Sequence, residues 1–253
     1  MTIAERRAAF RKLHESGCFV IPNPSSIGEA KRLAKLGFKA IASSSAGAAW
    51  ILGKEDGELT RDEVLSHLRE LVAATDLPVN ADFENGFADS PADVATNVAL
   101  AIDTGVAGLS IEDWSGRDIY DLRLATARIS AARAAINRSG TGTMLVGRAE
   151  GVLRGVESLG DVIARLRAYA DAGADCLFAP GVRDLGQIRK LVSAVAPKPM
   201  NIIISRPGLS VADVAAAGVR RVSTGGALAD AAWRGFDAAA RSLAEHGVMP
   251  PVA

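Results

Sequence analysis

Several chemistries are excluded by what this chain of 253 residues lacks. It has no surplus of either charge: 29 basic and 29 acidic residues are scattered among one another, so neither a nucleic acid nor an anionic membrane surface is implied as a partner. No apolar run approaches bilayer length. The N-terminal MTIAERRAAFRKLHESG alternates charge with apolar residues at helical spacing and has no uncharged signal core. A cytoplasmic protein is expected. Cysteine is scarce, and Cys18 and Cys176 fall in or beside apolar runs, where packed thiols are expected rather than a disulfide. The three histidines, His14, His67 and His246, lie in helical patterns, which argues against a histidine-held zinc or a nucleophile–histidine triad.

What is present is alternation. Eight short apolar or β-branched runs are strand candidates, at 18–23, 39–45, 78–83, 108–113, 143–150, 175–180, 200–205 and 220–226. Amphipathic stretches such as TRDEVLSHLRELVAAT and GDVIARLRAYADAGA separate them. Ser26, Thr60, Ser90 and Asp161 are the expected N-caps, and Gly37, Gly105, Gly173 and Gly218 the expected helix closures. Eight βα units at even spacing predict a (β/α)8 TIM barrel, an α/β fold filling residues 1–253 as a single domain, with the first seventeen residues as a capping helix. No GxGxxG follows the first strand, which disfavours an open doubly wound sheet. Apolar residues make up 49% of the chain, enough for a large core.

Function in such a barrel sits where strands end. Lys39 and Lys198 lie at the opposite ends, which weighs against Schiff-base chemistry. The predicted mouth holds Asp56, Asp82, Glu84 and Glu112, with Arg148 closing the fifth strand. Asp82 and Glu84 are two apart and are expected on one face of a strand, with Phe83 on the other. Carboxylates gathered this way suit Mg2+ (or Mn2+); a DxE pair alone reads rather as a surface cap on the next helix, and Asp56, Glu112 and Arg148 on neighbouring strands turn the reading to a metal site. Arg148 presents a planar fork suited to a carboxylate or phosphoryl group; its structural alternative is an ion pair with Glu150 or Glu112. Ser43–Ser45 with Ala46 and Gly47 form either an anion cradle or a tight turn of small residues, and Ser223–Gly226 is similar. Trp114 and Tyr120 read as a lid or as loop packing.

The stretches SSSAGAAWILGKED (43–56), VNADFENGF (79–87), GVAGLSIEDWSG (105–116), VGRAEG (146–151) and PMNIII (199–204) together resemble the isocitrate lyase/phosphoenolpyruvate mutase superfamily over nearly the whole chain. The resemblance implies a Mg2+-dependent enzyme acting on a small 2-oxo or 2-hydroxy (di)carboxylate through a metal-stabilised enolate, as a lyase or decarboxylase. It implies Asp82 as the nearest metal ligand, with Asp56, Glu84 and Glu112 completing the shell or holding its waters. Ser44, Ser45, Ala46, Gly47, Asp82, Arg148 and Asn201 are then substrate-binding, and Arg148, Glu112 and Asp56 catalytic. The lyases of this family carry a Lys-Lys-Cys-Gly-His loop after the fourth strand; here that region reads WSGRDIYDLRLATARI, so the acid that cysteine supplies must come from elsewhere. Glu112, Glu150 and Tyr120 are the candidates. Where many relatives end the sixth strand in Glu or His, this chain has Pro180. The C-terminal segment that relatives exchange between subunits is expected to be short, and a homo-oligomer, dimer or tetramer, is implied. Phosphonopyruvate-type C–P chemistry and a catalytically quiet 2-oxo acid-binding barrel stand as alternatives.

Overall fold

Each apolar run forms a strand in the computed structural model, which describes residues 1–250. The strands are β1 Phe19–Ile21, β2 Ile41–Ala42, β3 Val79–Asp82, β4 Gly108–Glu112, β5 Met144–Arg148, β6 Cys176–Phe178, β7 Met200–Ile203 and β8 Arg221–Ser223. All their pairings are parallel, in the order β1-β8-β7-β6-β5-β4-β3-β2. Between the two ends of that order the Ala42 N–H donates to the Pro22 carbonyl at 3.0 Å, bringing β1 against β2. The result is the expected (β/α)8 barrel. The strands are shorter than their apolar runs because the chain turns out of the sheet as soon as it reaches the mouth.

The helices are α1 Ile3–Leu13, α2 Ile27–Lys35, α3 Ser45–Ile51, α4 Arg61–Ala74, α5 Pro91–Asp103, α6 Leu122–Ser139, α7 Leu159–Asp171, α8 Leu185–Val195, α9 Val211–Ala216 and α10 Ala227–His246. Ser26, Thr60 and Ser90 cap as expected, each accepting a backbone N–H three residues on. Asp161 does not: Ser158 caps α7, and Asp161 is the third residue of its first turn, accepting the Ser158 N–H at 3.1 Å. The capping box recruits a carboxylate at that position, and an acid there is easily mistaken for the cap itself. Gly37, Gly105, Gly173 and Gly218 follow their helices with φ between +86° and +103°, the left-handed turn that ends a helix at low cost only in glycine.

α1 closes the floor of the barrel. Its Phe10 is fully buried in a cluster with Ala40, Ala107 and Met144, at or just before strand starts, and with Ile21 and Ala42, which also line the barrel interior. A Cβ on Gly108 would lie 2.7 Å from the Phe10 ring, so the plug needs that glycine. Arg7, also buried, donates to the Val106 and Ile102 carbonyls, both at 2.9 Å. His14 caps the helix one residue past its end rather than lying within it, with Nδ1 2.8 Å from the Phe10 carbonyl. At the other end of the chain α10 is the opposite case: of its residues only Ala229 is buried, and Leu228, Trp233, Phe236 and Leu243 stand exposed. No described helix is long and apolar enough to cross a membrane.

Candidate active site

The mouth is organised around Arg148. As the last residue of β5 it lies in register with Glu112, the last of β4, and Phe178, the last of β6. Its Nε is 2.6 Å from Glu150 Oε1 and 3.3 Å from Glu112 Oε2, its Nη1 is 3.2 Å from Asp82 Oδ1, and its guanidinium carbon sits 5.2 Å from the centre of the Phe178 ring. Glu150 is wholly buried and also accepts from Arg154 Nε at 3.1 Å. One cation held by three carboxylates keeps its charge and its plane, and the pairing with Glu150 or Glu112 read from sequence as a structural alternative is present together with the contact to Asp82.

Asp82 is fixed from β2. The Ser43 hydroxyl accepts the Asp82 N–H at 2.8 Å, and the Ser45 N–H donates to Asp82 Oδ2 at 3.1 Å. Ser44 is the N-cap of α3, its hydroxyl accepting the Gly47 N–H. The Ala46 N–H, in the same first turn, has no partner within the helix. A Cβ on Gly47 would meet the Ser25 hydroxyl at 2.3 Å, so this segment packs too tightly for any larger residue.

Glu84 is not on the strand. β3 ends at Asp82, the Gly86 N–H closes a turn onto the Phe83 carbonyl at 2.8 Å, and Glu84 takes a left-handed φ of 45°. Alternation along an extended strand therefore does not set the direction of its side chain, because the turn intervenes; Phe83 packs fully into the core. Glu84 Oε1 is buried without a hydrogen-bond partner. Burial, then Asp82 and Asp56, push its carboxyl up to about 7. Burial likewise raises Glu112 well above the carboxylate range, with Arg148 opposing.

Two adjoining cavities carry these groups. An outer one of about 400 Å³ is lined by Asp56, Glu84, Glu112, Trp114, Arg148 and Arg154. A deeper one of about 150 Å³ runs from Ser44–Ala46, Asp56, Asp82 and Arg148 down the barrel axis to Asn201 and Arg221. Asp56 is exposed at the rim of both. Asn201 is fully buried, and its amide is engaged inside the barrel, donating to Ser223 Oγ at 3.1 Å and accepting from Arg221 Nε at 2.9 Å. Gly47, on the buried side of α3, is not among the residues that line either cavity.

Among the described residues no three His, Cys, Asp or Glu side chains form a ready-made metal cage. The donor set nonetheless fits a hard divalent cation held by one carboxylate and its own water shell, the usual manner of Mg2+. Every donor is oxygen, the buried Glu84 oxygen lacks a partner, and the like charges facing one another are relieved by a cation.

Of the three acids considered for proton transfer, only Glu112 faces a cavity. Glu150 is locked between two arginines. Tyr120 hydrogen-bonds Asp89 and, through its hydroxyl, Asn85, under the Arg128 guanidinium. The loop after β4 is short and closed on itself: Trp114 bridges Ile119, and the Tyr120 N–H donates to the Asp113 carbonyl at 2.9 Å. Trp114 lies under Arg154 at 4.5 Å and Tyr120 packs on its neighbours.

Sequence reasoning missed three contributors. Arg154, in the loop after β5, stacks on Trp114 and braces Glu150; a cation six residues beyond Arg148 was the available signal. Asp113 accepts the Glu150 N–H at 2.8 Å and the Tyr169 hydroxyl at 2.6 Å, fixing the loop that Glu150 begins. Arg221 starts β8, so a search of strand ends passes over it. It is buried across the barrel with Nη1 3.3 Å from Asn80 Oδ1.

The model of the family described as phosphoenolpyruvate phosphomutase matches residues 10–244. The chain belongs to the phosphoenolpyruvate mutase/isocitrate lyase superfamily. A structure from Burkholderia cenocepacia J2315, provisionally named a lyase/mutase, superposes with a TM-score of 0.94 at 45% identity, covering 98% of this chain and 90% of that one. Oxaloacetate decarboxylase 2 of Pseudomonas fluorescens (strain Pf0-1) is 33% identical over 201 residues, 75% of this chain and 67% of that protein. An oxaloacetate acetylhydrolase solved with its product oxalate superposes with a TM-score of 0.90 at 25% identity, covering 98% of this chain and 90% of that one. Superfamily members thus include enzymes of different reactions on small carboxylates, and membership alone fixes no substrate.

Proposed function

We propose that this chain is a Mg2+-dependent (or Mn2+-dependent) lyase or decarboxylase acting on a small 2-oxo or 2-hydroxy dicarboxylate. The observation that carries the reading is Arg148, held by Asp82, Glu112 and Glu150 at the wall of an open, carboxylate-rich chamber. Asp82 is assigned the direct contact to the cation, with Asp56, Glu84 and Glu112 facing its water shell. When bound, the cation supplies Lewis-acid polarisation of the 2-oxo group. Arg148 binds the carboxylate of the oxo-acid end, its plane already fixed before ligand arrives, so little reorganisation opposes the reaction. Ser44, Ser45 and Ala46 border the same end, Gly47 lets that segment pack close, and Asn201 with Arg221 forms the polar floor. Glu112 is assigned the proton transfer, at its carboxyl oxygen facing the outer cavity.

Assays of oxaloacetate, 2-methylisocitrate and phosphonopyruvate with Mg2+, and again after chelation, test this. Turnover of a dicarboxylate that stops on chelation is expected. Turnover of phosphonopyruvate alone would overturn it in favour of C–P chemistry, the second reading, which the phosphomutase model match favours. Ligand binding with no turnover of any acid would instead leave a quiet binding barrel.

The chain is further inferred to act as a homo-oligomer in the cytoplasm. Phe236, Leu243 and Leu228 run as an apolar stripe along an otherwise exposed α10, while Ile27, Ile51 and Leu52 expose apolar surface at a groove of about 560 Å³ beside α2 and α3. A second copy supplies both partners. Light scattering is expected to report more than one subunit for the native chain and a smaller species for Phe236→Asp. Both Cys18 and Cys176 are free thiols, which suits a reducing compartment.

A further inference from the structure

The mouth of the barrel is divided by charge. The outer cavity on the β2–β4 side is walled by Asp56, Glu58, Glu84 and Glu112. On the β6–β7 side a separate cavity of about 330 Å³ opens from the same Arg148, and no carboxylate lines it. Leu153, Pro180, Ile204 and Leu209 give it apolar walls, and Arg183 and Arg206 give it charge. Neither guanidinium pairs with an acid among the described residues. Arg183 Nη2 donates instead to the Pro207 carbonyl at 2.7 Å, which ties it to the loop that carries Arg206. The wall is built tightly: Gly181 has a φ of +89°, and a Cβ there would lie 2.8 Å from the Leu153 backbone, so the loops after β5 and β6 close on each other only with glycine at that position.

Arg148 and Ile203 line both this cavity and the deep chamber, so the two adjoin. A ligand with one end on Arg148 has two directions in which to extend. Toward β2–β4 a second anionic group meets four carboxylates, and the further cation there, Arg154, is already paired with Glu150 and stacked on Trp114. Toward β6–β7 it meets two exposed arginines without acid partners at the far end of an apolar passage, and unpaired positive charge there attracts an anion.

We propose that the β6–β7 cavity is the subsite for the distal carboxylate of the substrate, with Arg183 and Arg206 as its specificity-determining residues. The substrate class is then a 2-oxo or 2-hydroxy acid bearing a second carboxylate beyond a short alkyl segment, which lies along Leu153, Ile204 and Leu209. This rests on the assignment of Arg148 to the oxo-acid end. It also accounts for Pro180: the end of β6 contributes apolar wall, and the polar contacts come from Arg183 in the following loop and Arg206 beyond β7.

The test is calorimetry on the full chain with saturating Mg2+, using three probes. Oxalate reports the Arg148 end alone; 2-oxoglutarate and 2-oxovalerate share a five-carbon oxo-acid skeleton and differ in the distal carboxylate. The wild type is expected to bind 2-oxoglutarate at least about tenfold more tightly than 2-oxovalerate, the worth of one charge-assisted contact. The Arg183→Gln/Arg206→Gln variant is expected to bring that ratio to within about twofold while oxalate affinity stays near wild type. Equal affinity of the wild type for the two five-carbon acids, or a preference that survives in the double variant, overturns the subsite. Failure of the wild type to bind oxalate overturns the Arg148 assignment instead, so the two failures are separable. The wild-type comparison decides the proposal even if the variant does not fold.

Discussion

The two ends of this barrel differ in how they treat buried charge. At the floor, Arg7 is buried and both of its contacts are backbone carbonyls. His14, wedged edge-on between Phe10 and Phe19, is driven down to about 3 by burial and by Arg221, so it stays neutral and its buried, unpartnered Nε2 carries no charge. At the mouth, Glu84 keeps a buried oxygen without a partner, and Glu112 and Asp82 share one arginine with Glu150. The floor is arranged for stability. The mouth holds like charges together that only a further cation and an anion would balance, and a protein maintains such an arrangement against its folding stability where function requires it.

The largest effect expected from this contrast is on activity. Arg148→Lys keeps the charge and loses the fork, and should lower kcat/KM about thousandfold while circular dichroism stays native. A comparable rate from the lysine variant would remove Arg148 from the chemistry. At the floor, Phe10→Ala should cost about 3 kcal/mol or more in denaturant unfolding and change KM far less than Arg148→Lys does, because the cavity it opens lies beneath the deep chamber and touches neither Arg148 nor Asp82. Loss of ligand binding in that variant would break the separation of the two ends.

A smaller effect concerns pH. Below about 6.5 the unfolded chain protonates His14 while the folded chain does not until about pH 3. Stability from this group is therefore complete above pH 6.5 and declines as pH falls, by at most ~1.4 kcal/mol per pH unit. His14→Phe should flatten the acid limb of a plot of stability against pH; an unchanged slope would show that the ring is not held neutral. The smallest effect is expected from Glu84→Gln. Removing its repulsion with Asp82 and Asp56 should stabilise the metal-free protein by about 1 kcal/mol and weaken the rise in Tm produced by Mg2+. Destabilisation without metal would contradict the view that the mouth is electrostatically unbalanced.

Much of this was legible in the residues. Eight apolar runs gave eight strands because a barrel strand buried on both faces has no other composition available to it. Asp82, Glu112 and Arg148 were readable because each is the last residue of its strand, and a charge after an apolar run marks the mouth. Glu84 was read by alternation, and the turn that begins at Phe83 removed that basis. Asp161 reads as a cap in sequence because an N-cap and the acid three residues on have similar chemistry. Arg154, Arg183 and Arg206 lie in loops whose paths depend on which strands are neighbours, and no local pattern encodes that. The exposed stripe of α10 reads in sequence like any amphipathic helix; only the structure shows that its apolar face is left uncovered.

The central claim is that Asp82 and Arg148 together hold a cation and an oxo-acid anion. Titration of oxalate into the full chain, with Mg2+ and with chelator, and repeated on Asp82→Asn, tests it most directly. The expected result is binding that requires Mg2+ in the wild type and weakens by about a hundredfold or more in Asp82→Asn. Oxalate bound equally well in chelator, or equally well by the asparagine variant, would contradict it.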